Sequence, residues 1–178
     1  EAGVDFMLQI DDDMTVPVNM FERLYETMQG YSADIVGALA FMRHPPHYPV
    51  IYTTREGYDN ITQRPYFTRE TMKAYPKDTV VECDAIGFGA ALIRMSLLGK
   101  MEKPWFMSTT GAGEDIWFCR CAKEKAGARI LMDTRVKLGH IGIPPIIDEA
   151  VYEQHNGVGE YRKTFGANGN IKEAAHAG

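Results

Sequence analysis

Three groups of polar residues, spread over most of the chain, are of the types that handle metal ions and phosphates. Asp11, Asp12 and Asp13 end an apolar run, Glu114 and Asp115 follow a glycine-rich stretch, and His140 lies between Gly139 and Gly142. Side chains alternate along an extended segment, so Asp11 and Asp13 are expected on one face with Asp12 turned away. Like charges that close repel unless a cation sits between them or one carboxyl stays protonated. Oxygen donors at a strand end, with an imidazole nitrogen added, suit a hard divalent ion, Mg²⁺ or Mn²⁺, that keeps positions open for phosphate oxygens. Each group also has a plainer reading. The aspartates would serve as an acidic turn before a helix, the Glu114–Asp115 pair as partners of a helix dipole, and the histidine as a structural residue.

The elements that must position these residues follow from periodicity. The run from Val4 to Ile10 is short and apolar, as a buried strand would be, and acids directly after it would face the crevice beyond the strand ends of an open α/β sheet. A helix is expected from near Pro17 to Gly30, with Val18, Phe21, Leu24, Tyr25 and Met28 on its apolar face. A second strand at 33–39 completes a parallel crossover. From Arg43 to about Lys77 the pattern breaks into proline, tyrosine and polar residues, with short edge strands near Val50–Tyr52 and Arg64–Thr68 and His44 and His47 in a surface loop. Strands resume at Thr79–Cys83 and Gly89–Arg94. Gly87 and Gly89 between them either allow a ligand close to the backbone or mark a bulge. The segment from Glu114 reads as a helix that Gly127 terminates, followed by the stretches Arg129–Asp133 and Val136–Gly142, in which His140 comes just after an apolar strand. The spacing of Val151, Tyr152, Val158, Tyr161 and Phe165 predicts a last helix across Asp148–Phe165, which docks on the domain, and the remainder to Gly178 reads as a flexible tail.

The motifs resemble those of the GT-A glycosyltransferases, particularly family 2. Asp11-Asp12-Asp13 looks like that family's aspartate-any-aspartate motif, Glu114-Asp115 like its glutamate-aspartate motif, and His140 like its late metal-binding histidine. Gly87–Arg94 resembles the glycine-bearing strand beside the donor sugar, and Lys103-Pro104-Trp105-Phe106 the segment leading to the acceptor. The similarity runs from about residue 4 to about residue 142. It implies an α/β fold, a GT-A-like mixed sheet flanked by helices. It also implies that residues 1–165 are the C-terminal part of a single glycosyltransferase domain, with a nucleotide-binding half before residue 1 and a tail at 166–178.

The activity implied is metal-dependent, inverting transfer of a sugar from a UDP- or GDP-linked donor to a hydroxyl of a carbohydrate or other acceptor. Asp13 and His140 would hold Mn²⁺ or Mg²⁺. Asp11 would assist through the metal, a metal-bound water or a ribose hydroxyl, and Gly87 and Gly89 would lie by the donor. Arg43, just past a strand end, reads either as a partner of a diphosphate or acceptor anion or as a plain surface arginine. Asp115 would be the base, with Glu114 orienting the loop or the acceptor. Trp105 and Phe106 would either stack on an acceptor ring or anchor the core. Two other classes share these features: a metal-dependent nucleotidyl or phosphoryl transferase, and a non-catalytic carbohydrate-binding remnant.

Composition narrows the field. The 178 residues carry a net charge of −5, which disfavours broad nucleic-acid binding. No apolar run approaches the roughly 20 residues needed to span a bilayer. The three cysteines, two of them at 119 and 121 within the expected helix, read as reduced core thiols and point to a cytoplasmic setting.

Overall fold

The computed structural model describes residues 3–59, 64–108, 112–142 and 146–156, giving only the backbone course for 54–59 and 64–69. Strands β1 (Phe6–Ile10), β3 (Ile35–Leu39), β6 (Val80–Cys83), β8 (Ala90–Arg94) and β9 (Ile130–Lys137) form the central sheet, in the order β1-β8-β3-β9-β6. Strand β3 runs parallel to β9 and antiparallel to β8, and β8 runs antiparallel to β1. Strands β1, β3 and β9 therefore point the same way. Their carboxyl ends share one edge of the sheet, where open α/β sheets gather ligands.

The fold is the expected α/β class, with one change in the expected crossover. Helix α1 (Met20–Gly30) links β1 to a strand of the same direction, but β8 is inserted between the two. Two small sheets complete the molecule: β2 (Met14–Thr15) with β10 (Gly139–Ile141) and β11 (Ile146–Ile147), and β4 (Ile51–Asp59) with β5 (Arg64–Thr71) and β7 (Ala85–Ile86). The hairpin of β4 and β5 is longer than the short edge strands the sequence suggests, with pairs from Tyr52–Thr71 to Asp59–Arg64. A 3₁₀ helix (Met95–Lys100), α2 (Glu114–Ala126) and α3 (Glu149–Asn156) are the remaining helices of the described residues. The sequence extends the last helix to Phe165, but everything from 157 onward, tail included, lies outside the described residues. Among the described residues no helix is long and apolar enough to cross a membrane.

Side-chain alternation sorts the central sheet onto two cores. Val36, Ala38, Leu92 and Leu131 face α1 through Met20, Leu24 and Met28, whereas Ile35, Ile93, Ile130 and Met132 face the core that includes Phe118 and Cys119 of α2. Gly127, in the left-handed region at φ 63°, ends α2: its amide bonds to Lys123 O and that of Ala128 to Ala122 O.

Three expectations about burial need correction. Strand β1 is an edge, paired among the described residues with β8 alone, and Leu8 and Ile10 are exposed. Its apolar composition reports side-chain type and not rank in the sheet. Helix α1 starts at Met20 and not near Pro17, so Val18 lies in solvent and Phe21 and Tyr25 stack on each other at the helix flank, 6.1 Å between ring centroids. His47 is buried rather than on a surface loop, with Nδ1 2.9 Å from Met42 O and its ring edge-on to His155 of α3.

Candidate functional site

The candidate residues lie just past the strand ends that share an edge. The aspartates follow β1, Arg43 follows β3 and His140 follows β9. Asp11, Asp12 and Asp13 do not continue an extended strand, as alternation presumes. They form a tight turn into β2, with the Met14 amide 3.3 Å from Asp11 O. The Asp11 amide donates to Gly89 O at 3.1 Å, which ties the turn to the start of β8.

Asp13 and His140 meet because β2 pairs with β10. Met14 is opposite His140, and the Ile141 amide donates to Asp13 O at 2.9 Å. His140 thus lies inside a short strand, not after one. Gly139 is what lets β2 lie so close: a Cβ there would come 2.5 Å from Thr15 Oγ1 and 2.6 Å from Ile146. The result puts His140 Nε2 3.2 Å from Asp13 Oδ2. The other ring nitrogen, Nδ1, lies 2.9 Å from Phe41 O. A carbonyl only accepts, so Nδ1 carries a hydrogen, and in the neutral ring Nε2 presents its lone pair toward Asp13. Arg43 closes the group, pairing with Asp13 Oδ2 and placing Nη2 3.3 Å from His140 Nε2.

The acidic pair lies on the first turn of α2, where the helix dipole favours negative charge. Asp115 Oδ1 accepts its neighbour Ile116's amide at 2.6 Å, and Glu114 Oε2 accepts the Ser108 hydroxyl at 3.1 Å. Both acids lie within electrostatic reach of Asp11. The Asp11 carboxyl is raised from its ordinary value of 3.8, first by loss of water around it, then by the carboxylates of Asp13, Asp115 and Glu114, with His140 opposing.

Oxygen and imidazole donors side by side suit Mn²⁺ or Mg²⁺. Among the described residues no three His, Cys, Asp or Glu side chains group to hold a metal. The Asp13–His140 pair fits an ion that draws its other ligands from phosphate and water, as Mg²⁺ commonly does.

Other candidates have plain structural surroundings. A Cβ at Gly87 would meet Val50 at 2.8 Å, and one at Gly89 would meet Met14 at 3.0 Å, so the chain's own side chains crowd both glycines. Trp105 packs on the core with Nε1 donating to Met101 O, and Phe106 stacks on Phe118 with centroids 4.7 Å apart. Burial pushes the Cys119 thiol up to about 12 and raises Cys83 as well, which leaves neither suited to act as a nucleophile. A hollow of about 460 Å³ beside α2, whose lining includes Lys100, Lys103, Trp117 and Cys121, is lined by none of Asp11, Asp13, Arg43, Glu114, Asp115 and His140.

The sequence offered no sign of two supports. Phe41 orients His140 through its backbone carbonyl, which carries no side-chain signature, and its ring stacks on Tyr152 of α3 at 5.2 Å. Ser108, which steadies Glu114, is an ordinary loop residue in the sequence.

A mixed α/β protein whose like-directed strands deliver acids, an arginine and a histidine to one sheet edge is the class that fold and site define. Its fold is similar to that in the crystal structure of A197 from STIV, a viral protein, with a TM-score of 0.52 and 18% identity over 76% of this chain. The chain spans 57% of the length of that structure. No family model and no curated protein matches the sequence.

Proposed function

We propose that this chain carries the metal and acceptor side of a glycosyltransferase that uses a nucleotide-linked sugar. The observation that carries the reading is the convergence of Asp13, His140 and Arg43 on one point, with the carboxylates of Asp13, Asp115 and Glu114 all bearing on Asp11. Asp13 and His140 would hold a divalent cation, which supplies neutralisation of the charge on the departing nucleoside diphosphate.

Asp115 takes the proton of the acceptor hydroxyl as the oxygen bonds to the anomeric carbon and the carbon–phosphate-oxygen bond breaks on the opposite face, inverting the centre. Asp115 lies at the start of α2, where the helix dipole favours negative charge, and its bond to the Ile116 amide fixes its direction. Glu114, held by Ser108, orients the acceptor side of the loop.

The test is release of nucleoside diphosphate from UDP- and GDP-sugars with Mn²⁺ present. Asp115→Asn is expected to lower turnover by about 10²-fold or more while Mn²⁺ affinity stays within about twofold. Release of pyrophosphate instead, or full turnover by the variant, would refute the assignment.

A further inference from the structure

With a neutral His140 ring, the Asp13–His140 contact is unfavourable by itself. Nδ1 then carries the one ring hydrogen toward Phe41 O, so Nε2 and Asp13 Oδ2, 3.2 Å apart, are two acceptors facing each other. Such a pair needs a donor or a cation between its members. Arg43 supplies one, since Nη2 pairs with Asp13 Oδ2 and lies 3.3 Å from Nε2. Its reach is set by packing: the Arg43 stem lies over Gly142, where an added Cβ would come 3.1 Å from Arg43 Cγ. The guanidinium thus occupies the acceptor pair that a divalent ion would need.

We infer that Arg43 is an exchangeable internal counter-ion of the Asp13–His140 pair: it gives up this position to the divalent cation and turns to the phosphates of the nucleotide. The inference rests on the proposed nucleotide-sugar site and adds to it a way in which metal and nucleotide become interdependent. Without nucleotide, a metal ion must break the Arg43–Asp13 pair and leave two cations close together. With a nucleoside diphosphate present, the displaced guanidinium gains an anionic partner that it can bind in bidentate fashion. Each ligand then favours the other, and the coupling must be equal in both directions.

The experiment is Mn²⁺ titration of the intact chain by electron paramagnetic resonance, with and without saturating UDP or GDP, for the wild type, Arg43→Gln, Arg43→Lys and Asp13→Asn. Arg43 is half exposed, so water offsets part of the effect, and Arg43→Gln is expected to bind Mn²⁺ alone about three- to tenfold more tightly. The enhancement of Mn²⁺ binding by nucleotide should shrink by a comparable factor in the same variant. Arg43→Lys keeps the charge and should stay within about twofold of the wild type. Unchanged or weaker Mn²⁺ binding by Arg43→Gln, or a lysine variant that behaves like the glutamine one, overturns the exchange. The site reading itself survives that result provided the wild type binds Mn²⁺ and Asp13→Asn does not. Absence of Mn²⁺ binding by both the wild type and Arg43→Gln overturns the two together.

Discussion

The carboxylates at the sheet edge and those that hold the molecule together live under opposite electrostatic regimes. Asp11 sits among Asp13, Asp115 and Glu114 and is raised from 3.8. Asp133, fully buried on β9, is pulled the other way: loss of water would raise it, but hydrogen bonds from Arg135 and Thr27 hold it below its ordinary value. Glu149 at the start of α3 is alike, with burial opposed by Lys137 at 2.6 Å and by the Tyr75 hydroxyl at 2.7 Å. Where carboxylates are given partners, the fold gains stability. Where they are given each other, their mutual repulsion costs stability.

Substitutions can break that contrast, beginning with the largest effect. Asp133→Ala strands the Arg135 guanidinium and the Thr27 hydroxyl beside a cavity, and should cost about 3 kcal/mol in urea unfolding at pH 7. A loss below about 1 kcal/mol would mean that Asp133 is not a structural carboxylate. Glu149→Gln should cost about 1–2 kcal/mol by weakening the links of α3 to Lys137 and Tyr75. Because the folded Glu149 lies below its ordinary 4.5, its stabilisation is present above that value and fades as pH falls through the folded one. The gap between Glu149→Gln and wild type should therefore narrow between pH 7 and pH 3. The smallest effect has the opposite sign. The raised Asp11 contributes stability only while protonated, below 3.8, and loses it as pH rises through the folded value. Asp11→Asn should thus stabilise the chain by about 0.5 kcal/mol at pH 7 and show no gain at pH 3. Destabilisation at pH 7 would place Asp11 with the structural carboxylates.

Much of the framework was readable in order. The strand–helix–strand start, the strands near 80–83 and 90–94, and α2 with its Gly127 stop follow from periods and breakers that act over a few residues. The insertion of β8 between β1 and β3 was not readable, because its pairing joins residues from 54 to 88 positions apart in the chain. His47 looked like surface because prolines surround it, yet α3 covers it with His155. At the site, the residue types Asp11, Asp13, Glu114, Asp115 and His140 were legible as chemistry. Their meeting was not, since it depends on β2 and β10, strands of two and three residues, too short for any pattern to reveal.

By itself, then, the amino-acid order determined the local elements and the stock of acids, arginine and imidazole, because propensity, capping and alternation act between near neighbours. Only the tertiary structure decided that β1 is an edge, that Arg43 stands between Asp13 and His140, and that Phe41 sets the histidine's tautomer. Those outcomes depend on backbone groups and on contacts between distant segments, which the identities of neighbouring residues do not encode.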